Sequence, residues 1–179
     1  MPITEVNQIS TKTGDKGQSK NFVNETFGKD DLLFEVLGTM DELSSFIGLS
    51  YHYVKKEELL IIQRTIQEIN TIVATNPNHI LYKKIKKLTD EPIEQIESNM
   101  ANLLNLCPLE PKFCLPGSDT SLGGAYIDVA RSIARKAERT LVRFVKETQR
   151  TDLTTTMKYI NRLSDYLFVL ARYLNDNQK

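Results

Sequence analysis

The chain has 179 residues, of which 40% are hydrophobic, and its 23 Lys and Arg residues balance its 23 Asp and Glu residues. This content excludes a disordered chain and suits one folded domain, while no apolar run approaches the ~20 residues of a membrane span. The balanced charge excludes a bulk field for nucleic acid or a membrane surface, so any anion site must be local. No CxxC motif and no secretory signal are evident, so we expect a cytoplasmic protein with reduced thiols.

The first 28 residues are polar and irregular, and they include the stretch TKTGDKGQSK at residues 11–20. Its glycines would let backbone N–H groups turn inward as an anion nest, and its hydroxyl and lysine side chains would add donors and positive charge. It matches neither of the common phosphate-loop motifs. A disordered polar terminus is the alternative, and the residue pattern alone does not decide between the two.

From about residue 30, apolar residues recur at helical spacing. The pattern predicts five helices, at about 30–53, 57–75, 92–106, 121–148 and 153–176. Asn76-Pro77-Asn78 is a firm helix stop, and the lysine-rich segment 80–91 is predicted to be a solvated or mobile loop. Five helices with short connections indicate an all-α, antiparallel bundle.

The first helix contains GTMDELSSFIG, residues 38–48, which places small polar side chains on one face. These are Asp41, Ser44, Ser45 and Gly48. Their small size would allow another helix or a ligand to approach closely. Thr39 and Glu42 could instead form a capping box that starts the helix at this point, and a helix that runs through Gly38 is equally compatible with the pattern.

The fourth helix carries a charged face beside its alanine-rich core stripe. That face consists of Asp128, Arg131, Arg135, Glu138 and Arg139. The planar guanidinium of arginine suits phosphate or carboxylate, although a solvated face with i,i+4 pairs would look the same. On the last helix, Asn161 shares a stripe with Ser164, Asp165, Phe168 and Arg172, and an interhelical hydrogen bond is the ordinary role for such an asparagine.

Taken in order, five segments resemble the PduO-type ATP:cob(I)alamin adenosyltransferases: TKTGDKGQS, GKDD…GTMDELSSFIG, FCLPG, VARSIARKAER and YINRLSDYLFVLARY. The resemblance implies one cobalamin adenosyltransferase-like (ferritin-like) five-helix bundle over residues 1–179, with 1–28 as a flexible N-terminal nucleotide-binding loop and 29–179 as the bundle. It implies a homotrimer with active sites at subunit interfaces. The implied reaction transfers the 5′-deoxyadenosyl group of ATP to cob(I)alamin and releases triphosphate, with Mg²⁺ held mainly by triphosphate oxygens. A corrinoid reductase or an adenosylcobalamin-dependent enzyme would be a further partner.

The resemblance also assigns roles to individual residues. The implied nucleotide site consists of Thr11, Lys12, Thr13, Gly14, Ser19, Lys20, Lys29, Arg135, Lys136, Glu138, Arg139 and Asn161. The implied catalytic residues are Arg135, which binds the triphosphate, Asp41 and Arg131, which form a buried or interface salt bridge, and Phe113. The ring of Phe113 would lie on the cobalamin side and displace the lower axial ligand. No side chain is implied as a metal ligand, and the nucleophile would be Co(I) itself.

The sequence departs from the family pattern on the cobalamin side. Leu115–Ser118 reads Leu-Pro-Gly-Ser where the family has Leu-Pro-Gly-Gly, the segment that follows is slightly longer, and Asp128 stands where the family has histidine. The usual Arg-Arg pair is Arg135-Lys136. Asp128 could repel the cofactor or pair with Arg131. These changes leave a second hypothesis, a catalytically weak or inactive nucleotide- or cobalamin-binding paralogue.

Overall fold

The computed structural model describes residues 2–10 and 12–176, and five long helices make up most of it. They are α1 (Leu32–Val54), α2 (Glu57–Val73), α3 (Glu91–Leu106), α4 (Leu122–Thr148) and α5 (Thr154–Asp176). Each begins and ends within two residues of its predicted limits, so the expected all-α fold is confirmed. Short 3-10 turns occupy Val6–Gln8, Ile80–Lys84 and Thr151–Leu153. In the described part of the chain, no helix combines the length and apolarity needed to cross a bilayer.

Helix α1 starts at Asp31, whose side chain accepts a hydrogen bond from the Leu33 N–H at 2.8 Å. The helix then continues through Gly38. Thr39 is buried inside it, and its hydroxyl donates to the carbonyl of Glu35 at 2.7 Å. The capping-box interpretation of Thr39 and Glu42 is therefore wrong, because the cap lies two turns earlier.

The helices form an antiparallel array in which α1 packs against α2 and α4, and α5 packs against α4 and α3. The small residues of α1 serve this packing. Gln63 of α2 donates to the carbonyl of Ser44 at 2.9 Å, and a Cβ on Gly48 would lie only 2.8 Å from the Gln63 amide nitrogen. Within the chain, helix α2 is what approaches this face closely.

The core stripe of α4 is built mainly from small residues. Ala130, Ala134, Ala137 and Leu141 are fully buried, as their helical spacing predicted. Small side chains let α1 and α5 lie close to α4 on both sides. The polar residues of α4 are therefore confined to the remaining surface of the helix.

Part of the N-terminal segment is more ordered than its composition indicates. Strands β1 (Gln18–Lys20) and β2 (Thr26–Gly28) pair antiparallel, with Ser19 opposite Phe27. The expectation of an irregular segment over residues 1–28 is wrong for this hairpin, because each strand is too short to show an alternating pattern.

The hairpin is attached to the end of α2. The N–H of Phe22 donates to the carbonyl of Ala74 at 3.2 Å, and Asn76 donates to the carboxylate of Glu25 at 2.8 Å. This bond and a second one from Asn21 hold the pKa of Glu25 below its ordinary value. The acceptor therefore stays ionised, and the hairpin has a fixed place on the bundle.

Arg150 closes the C-terminal end of α2. It is buried, and it donates to the carbonyls of Ile72 and Thr75, both at 3.2 Å, and to Asp152 at 2.8 Å. Tyr82 donates to the same carboxylate. Burial and this hydrogen bond raise the pKa of Tyr82 to about 12, so its hydroxyl remains a donor at neutral pH. One arginine thus satisfies carbonyls that the end of α2 leaves without helical partners.

We expect Arg150→Met to lower the free energy of unfolding by roughly 3 kcal/mol, because it removes a donor from the carbonyls of Ile72 and Thr75 and the positive partner of Asp152. Urea denaturation followed by circular dichroism measures the loss. Arg143→Met is the matched control, because Arg143 is exposed and its pairs with Glu35 and Glu147 lie at the surface. Equal losses in the two variants would show that Arg150 has no special role in closing α2.

Candidate functional site

A cavity of about 560 Å³ lies within the N-terminal segment. Its lining includes six residues predicted to bind a nucleotide: Lys12, Thr13, Gly14, Ser19, Lys20 and Lys29. The seventh predicted residue of this segment, Thr11, lies outside the described residues. The hairpin produces the arrangement, because the backbone N–H of Lys29 donates to the carbonyl of Gly17 at 2.8 Å and brings Lys29 back to the loop.

The backbone of this loop has the turns that the glycines predicted. Gly17 has a positive φ of 76°, which glycine adopts without strain, and its N–H donates to the carbonyl of Gly14 at 3.2 Å. A Cβ at Gly14 would lie 2.8 Å from the Lys29 ammonium, so this glycine also allows close approach. Lys12 has a φ of 58°, in the region that residues with a Cβ seldom occupy.

The charge of the cavity is positive. Its three lining lysines, Lys12, Lys20 and Lys29, are exposed, and Asp15 is the carboxylate found among the lining residues. Gln18 and Thr26 also line the cavity. No sequence pattern marks them as ligands, because strand pairing is what brings them there. This combination suits an anion with several negative charges.

A second cluster lies on α4 and α5. Asn161 donates to Glu138 at 2.7 Å, so the interhelical hydrogen bond considered for Asn161 is present, and Lys136 pairs with Glu42 of α1 at 2.8 Å. Arg135 and Arg139 are exposed, and within residues 2–10 and 12–176 neither side chain has a hydrogen bond or an ion pair. The expected i,i+4 pairing around Glu138 is therefore not formed, and two guanidinium groups remain available.

Asp41 and Arg131 do not pair within the chain. Arg131 instead donates to Asp128 at 3.1 Å, and Asp41 is exposed. The ion pairs Glu42–Lys136 and Glu35–Arg143 show the antiparallel register of α1 and α4, which puts Asp41 and Arg131 about 9 Å apart along the helices. The buried intrachain form of the predicted salt bridge is wrong, and its interface form stays a prediction.

Asp128 is buried, with 4% of its surface exposed. Of the two effects considered for it, pairing with Arg131 is present. Its other carboxylate oxygen accepts from Arg172 of α5 and from the backbone N–H of Gly117, at 3.0 Å for the latter. The contact with Arg172 was not predicted, because only the register of two antiparallel helices brings these residues together. Asp128 is thus neutralised by two arginines.

The segment that carries Phe113 lies beside this cluster. Phe113 is completely exposed, which places an apolar ring in solvent. Its neighbours Lys112 and Cys114 line a cavity of about 600 Å³, together with Phe168 and Arg172 of α5. This cavity is separate from the N-terminal one, whose lining residues all lie between Ile9 and Lys29.

Neither cavity has the donor set of an all-protein metal site. Among the described residues, no group of three or more His, Cys, Asp and Glu side chains has an arrangement that could hold a metal ion. A divalent cation at these positions would need most of its oxygen ligands from a bound anion.

Comparisons with known proteins agree on one family. The family model described as cobalamin adenosyltransferase matches residues 9–174. The corrinoid adenosyltransferase MMAB of Bos taurus is 38% identical over 177 residues, covering 94% of this chain and 72% of that protein. The corrinoid adenosyltransferase of Bacillus subtilis (strain 168) is 36% identical over 176 residues, covering 94% and 86%.

A solved structure is similar over almost the whole chain. It is a phenylalanine-to-alanine variant of a PduO-type ATP:corrinoid adenosyltransferase from Lactobacillus reuteri, complexed with cobalamin and ATP. The TM-score is 0.86 at 30% sequence identity, and the match covers 95% of this chain and 94% of that one.

Proposed function

The chain belongs to the cobalamin adenosyltransferase family, and we propose that it transfers the 5′-deoxyadenosyl group of ATP to a reduced corrinoid, with release of triphosphate. The observation that carries this proposal for the chain's own residues is the N-terminal cavity. There a glycine turn, four hydroxyl side chains and three lysines share one space of a size suited to a nucleotide phosphate chain.

The chemistry requires little covalent participation from the protein. The Co(I) lone pair of the corrinoid substrate attacks C5′ of the ribose, the Co–C bond forms, and the C5′–O bond breaks with its electron pair leaving on triphosphate. A cobalt nucleophile needs no activated side chain. The protein's contribution is then to align the two substrates and to stabilise the charge that develops on the leaving group.

The cationic residues divide between the two clusters. We assign Lys12, Lys20 and Lys29 of the N-terminal cavity to the phosphates, with Thr13, Gly14 and Ser19 as donors. Arg135 binds the triphosphate as it leaves, and Lys136, Glu138, Arg139 and Asn161 continue the nucleotide site on α4 and α5. The guanidinium of Arg135 supports this assignment, since it is exposed, has no carboxylate partner among the described residues, and is therefore available for an anion. Mg²⁺ would enter with the triphosphate and be held by its oxygens.

The separation of the two clusters supports a trimer with active sites between subunits. The N-terminal cavity is lined by residues 9–29 alone, whereas Arg135 projects from the bundle. A site shared between subunits would let the loop of one chain cover the α4 surface of another. Asp41 is exposed and could meet Arg131 of a neighbouring subunit there. A cytoplasmic location and a reductase or adenosylcobalamin-dependent enzyme as partner also remain predictions.

The corrinoid would bind on the side of Phe113. The fully exposed aromatic ring, beside a cavity, offers an apolar surface that a large ligand could cover. There the ring would displace the lower axial ligand of the corrinoid. Co(II) without that ligand is easier to reduce, so Phe113 would assist the step that generates the nucleophile.

The second hypothesis, a catalytically weak or inactive paralogue, depends on Asp128 and on the longer segment that follows Pro116. The carboxylate of Asp128 does not face a ligand as a free charge, because Arg131 and Arg172 both contact it. The structure therefore gives no observation that favours loss of activity.

The direct test is an anaerobic assay with ATP and chemically reduced cob(I)alamin. We expect ATP-dependent loss of the cob(I)alamin absorbance, appearance of the adenosylcobalamin spectrum, and one triphosphate per adenosylcobalamin. The control omits ATP. Binding of ATP without alkylation of any of several corrinoids would contradict the proposed function and restore the paralogue hypothesis.

Arg135→Ala should lower kcat/KM by about 10²-fold, because it removes a charge positioned on the leaving triphosphate. Steady-state kinetics with saturating cob(I)alamin measures the effect. Arg143→Ala is the control, since Arg143 is an exposed arginine two turns further along α4 and pairs with Glu147. The assignment of Arg135 would be wrong if the two variants lost the same small fraction of activity.

Phe113→Ala should spare turnover of pre-reduced cob(I)alamin and lower turnover by ~10-fold, or 1.4 kcal/mol, when cob(II)alamin must be reduced in the site. The two assays are run in parallel on the same preparation. Ile80→Ala serves as control, because Ile80 is an exposed apolar residue in the turn after α2. Equal losses in both assays would remove Phe113 from the reduction step.

A further inference from the structure

Asp128 is a buried carboxylate whose three hydrogen bonds come from three separate parts of the chain. One oxygen accepts from Arg131 Nε on its own helix at 3.1 Å, and the other accepts from Arg172 of α5 and from the Gly117 N–H at 3.0 Å. Asp128 is 4% exposed and Arg172 6% exposed. A carboxylate buried to this degree is stable only when its oxygens accept hydrogen bonds. Asp128 therefore needs its three donors, and the donors need Asp128 as their acceptor.

The Gly117 contact anchors a compact turn. The N–H groups of Ser118 and Asp119 donate to the carbonyl of Leu115 at 3.3 and 3.2 Å, and the Asp119 carboxylate accepts from the Leu115 N–H at 3.0 Å. Gly117 has a φ of 75°, which suits glycine. The turn therefore has its own internal bonds, and Asp128 fixes it to α4.

A second attachment fixes the same turn to α5. The hydroxyl of Thr120 donates to the carbonyl of Ala171 at 2.9 Å, next to Arg172 in the sequence. Gly124 makes room for this contact, because a Cβ there would lie 2.9 Å from the same carbonyl. The segment that follows Phe113 is thus held to two helices at adjacent points.

We propose that Asp128 is a positioning residue for the corrinoid. It acts through the Gly117 amide and Arg172, which together set the position of the segment carrying Phe113 and of the Cys114–Asp119 wall of the neighbouring cavity. Asp128 itself is too buried to touch a substrate. This inference rests on the proposed function, in which the Phe113 side receives the corrinoid.

The test depends on which of the two substrate sites Asp128 is connected to. Two of the three donors to Asp128, the Gly117 amide and Arg172, lie at the Phe113 end, and none of the three belongs to the assigned nucleotide site. Loss of Asp128 should therefore affect the corrinoid and leave ATP binding nearly unchanged. A residue that merely stabilised the bundle would not separate the two substrates.

The experiment compares Asp128→Asn with the wild type and with Glu147→Gln. The control makes the same carboxylate-to-amide change on the same helix, at an exposed surface pair. We expect Asp128→Asn to raise the KM for cob(I)alamin about 10-fold and the KM for ATP less than about twofold. In hydrogen exchange without substrates, the amides of residues 113–120 should exchange about 10-fold faster. Glu147→Gln should change neither.

Thr120→Val provides a second variant that leaves every charge in place and therefore does not depend on the folding of Asp128→Asn. It removes the attachment to α5, so we expect the same selective rise in the KM for cob(I)alamin and faster exchange in residues 113–120. The inference is overturned if exchange in this segment is unchanged, or if both KM values rise together. A wild-type protein that forms no adenosylcobalamin would instead overturn the proposed function, while the exchange measurement would still decide whether Asp128 orders the segment.

Discussion

The packing of α4 between α1 and α5 determines where charge can lie on this protein. Ala130, Ala134 and Ala137 are fully buried, and such small side chains let both neighbouring helices come close. Polar residues of α4 must then either project outward or be neutralised inside the bundle. Arg135 and Arg139 project outward, and Asp128 is neutralised by its bonds to Arg131 and Arg172.

Exposed charged side chains and neutralised ones suit different functions. Exposed guanidinium groups without a carboxylate partner are fully able to bind an anion. A carboxylate that already pairs with two arginines is, in contrast, fully occupied. Triphosphate is an anion that forms during the proposed reaction, so stabilising it requires groups that are free beforehand. The Gly117 turn has the opposite requirement. In the proposed function it borders the surface for a large apolar macrocycle, and such a surface binds more tightly when it is ordered before the ligand arrives.

Much of this organisation could be predicted from the sequence. The five helices follow from apolar periodicity, and the local motif order indicated the family that the comparisons confirm. The hairpin could not be predicted, because three-residue strands carry no usable pattern and the Asn76–Glu25 bond spans 51 positions. The resemblance implies an Asp41–Arg131 pair, but the sequence could not decide whether one chain or a subunit interface forms it, because helical spacing shows which residues share a face and does not give the register between two helices.

The same limit explains why the sequence alone makes Asp128 a possible defect. In the sequence it is an acid in place of the family's histidine, close to where a ligand would bind. In the structure, Arg172 lies 44 positions away and reaches the same oxygen that accepts from the Gly117 amide. A neutral histidine could not balance the charges of the buried Arg172 and the partly exposed Arg131, and a protonated one would add to them. The acid, the arginine and the lengthened turn therefore depend on one another, and a reversion to histidine at position 128 alone would leave Arg172 buried without a counter-charge.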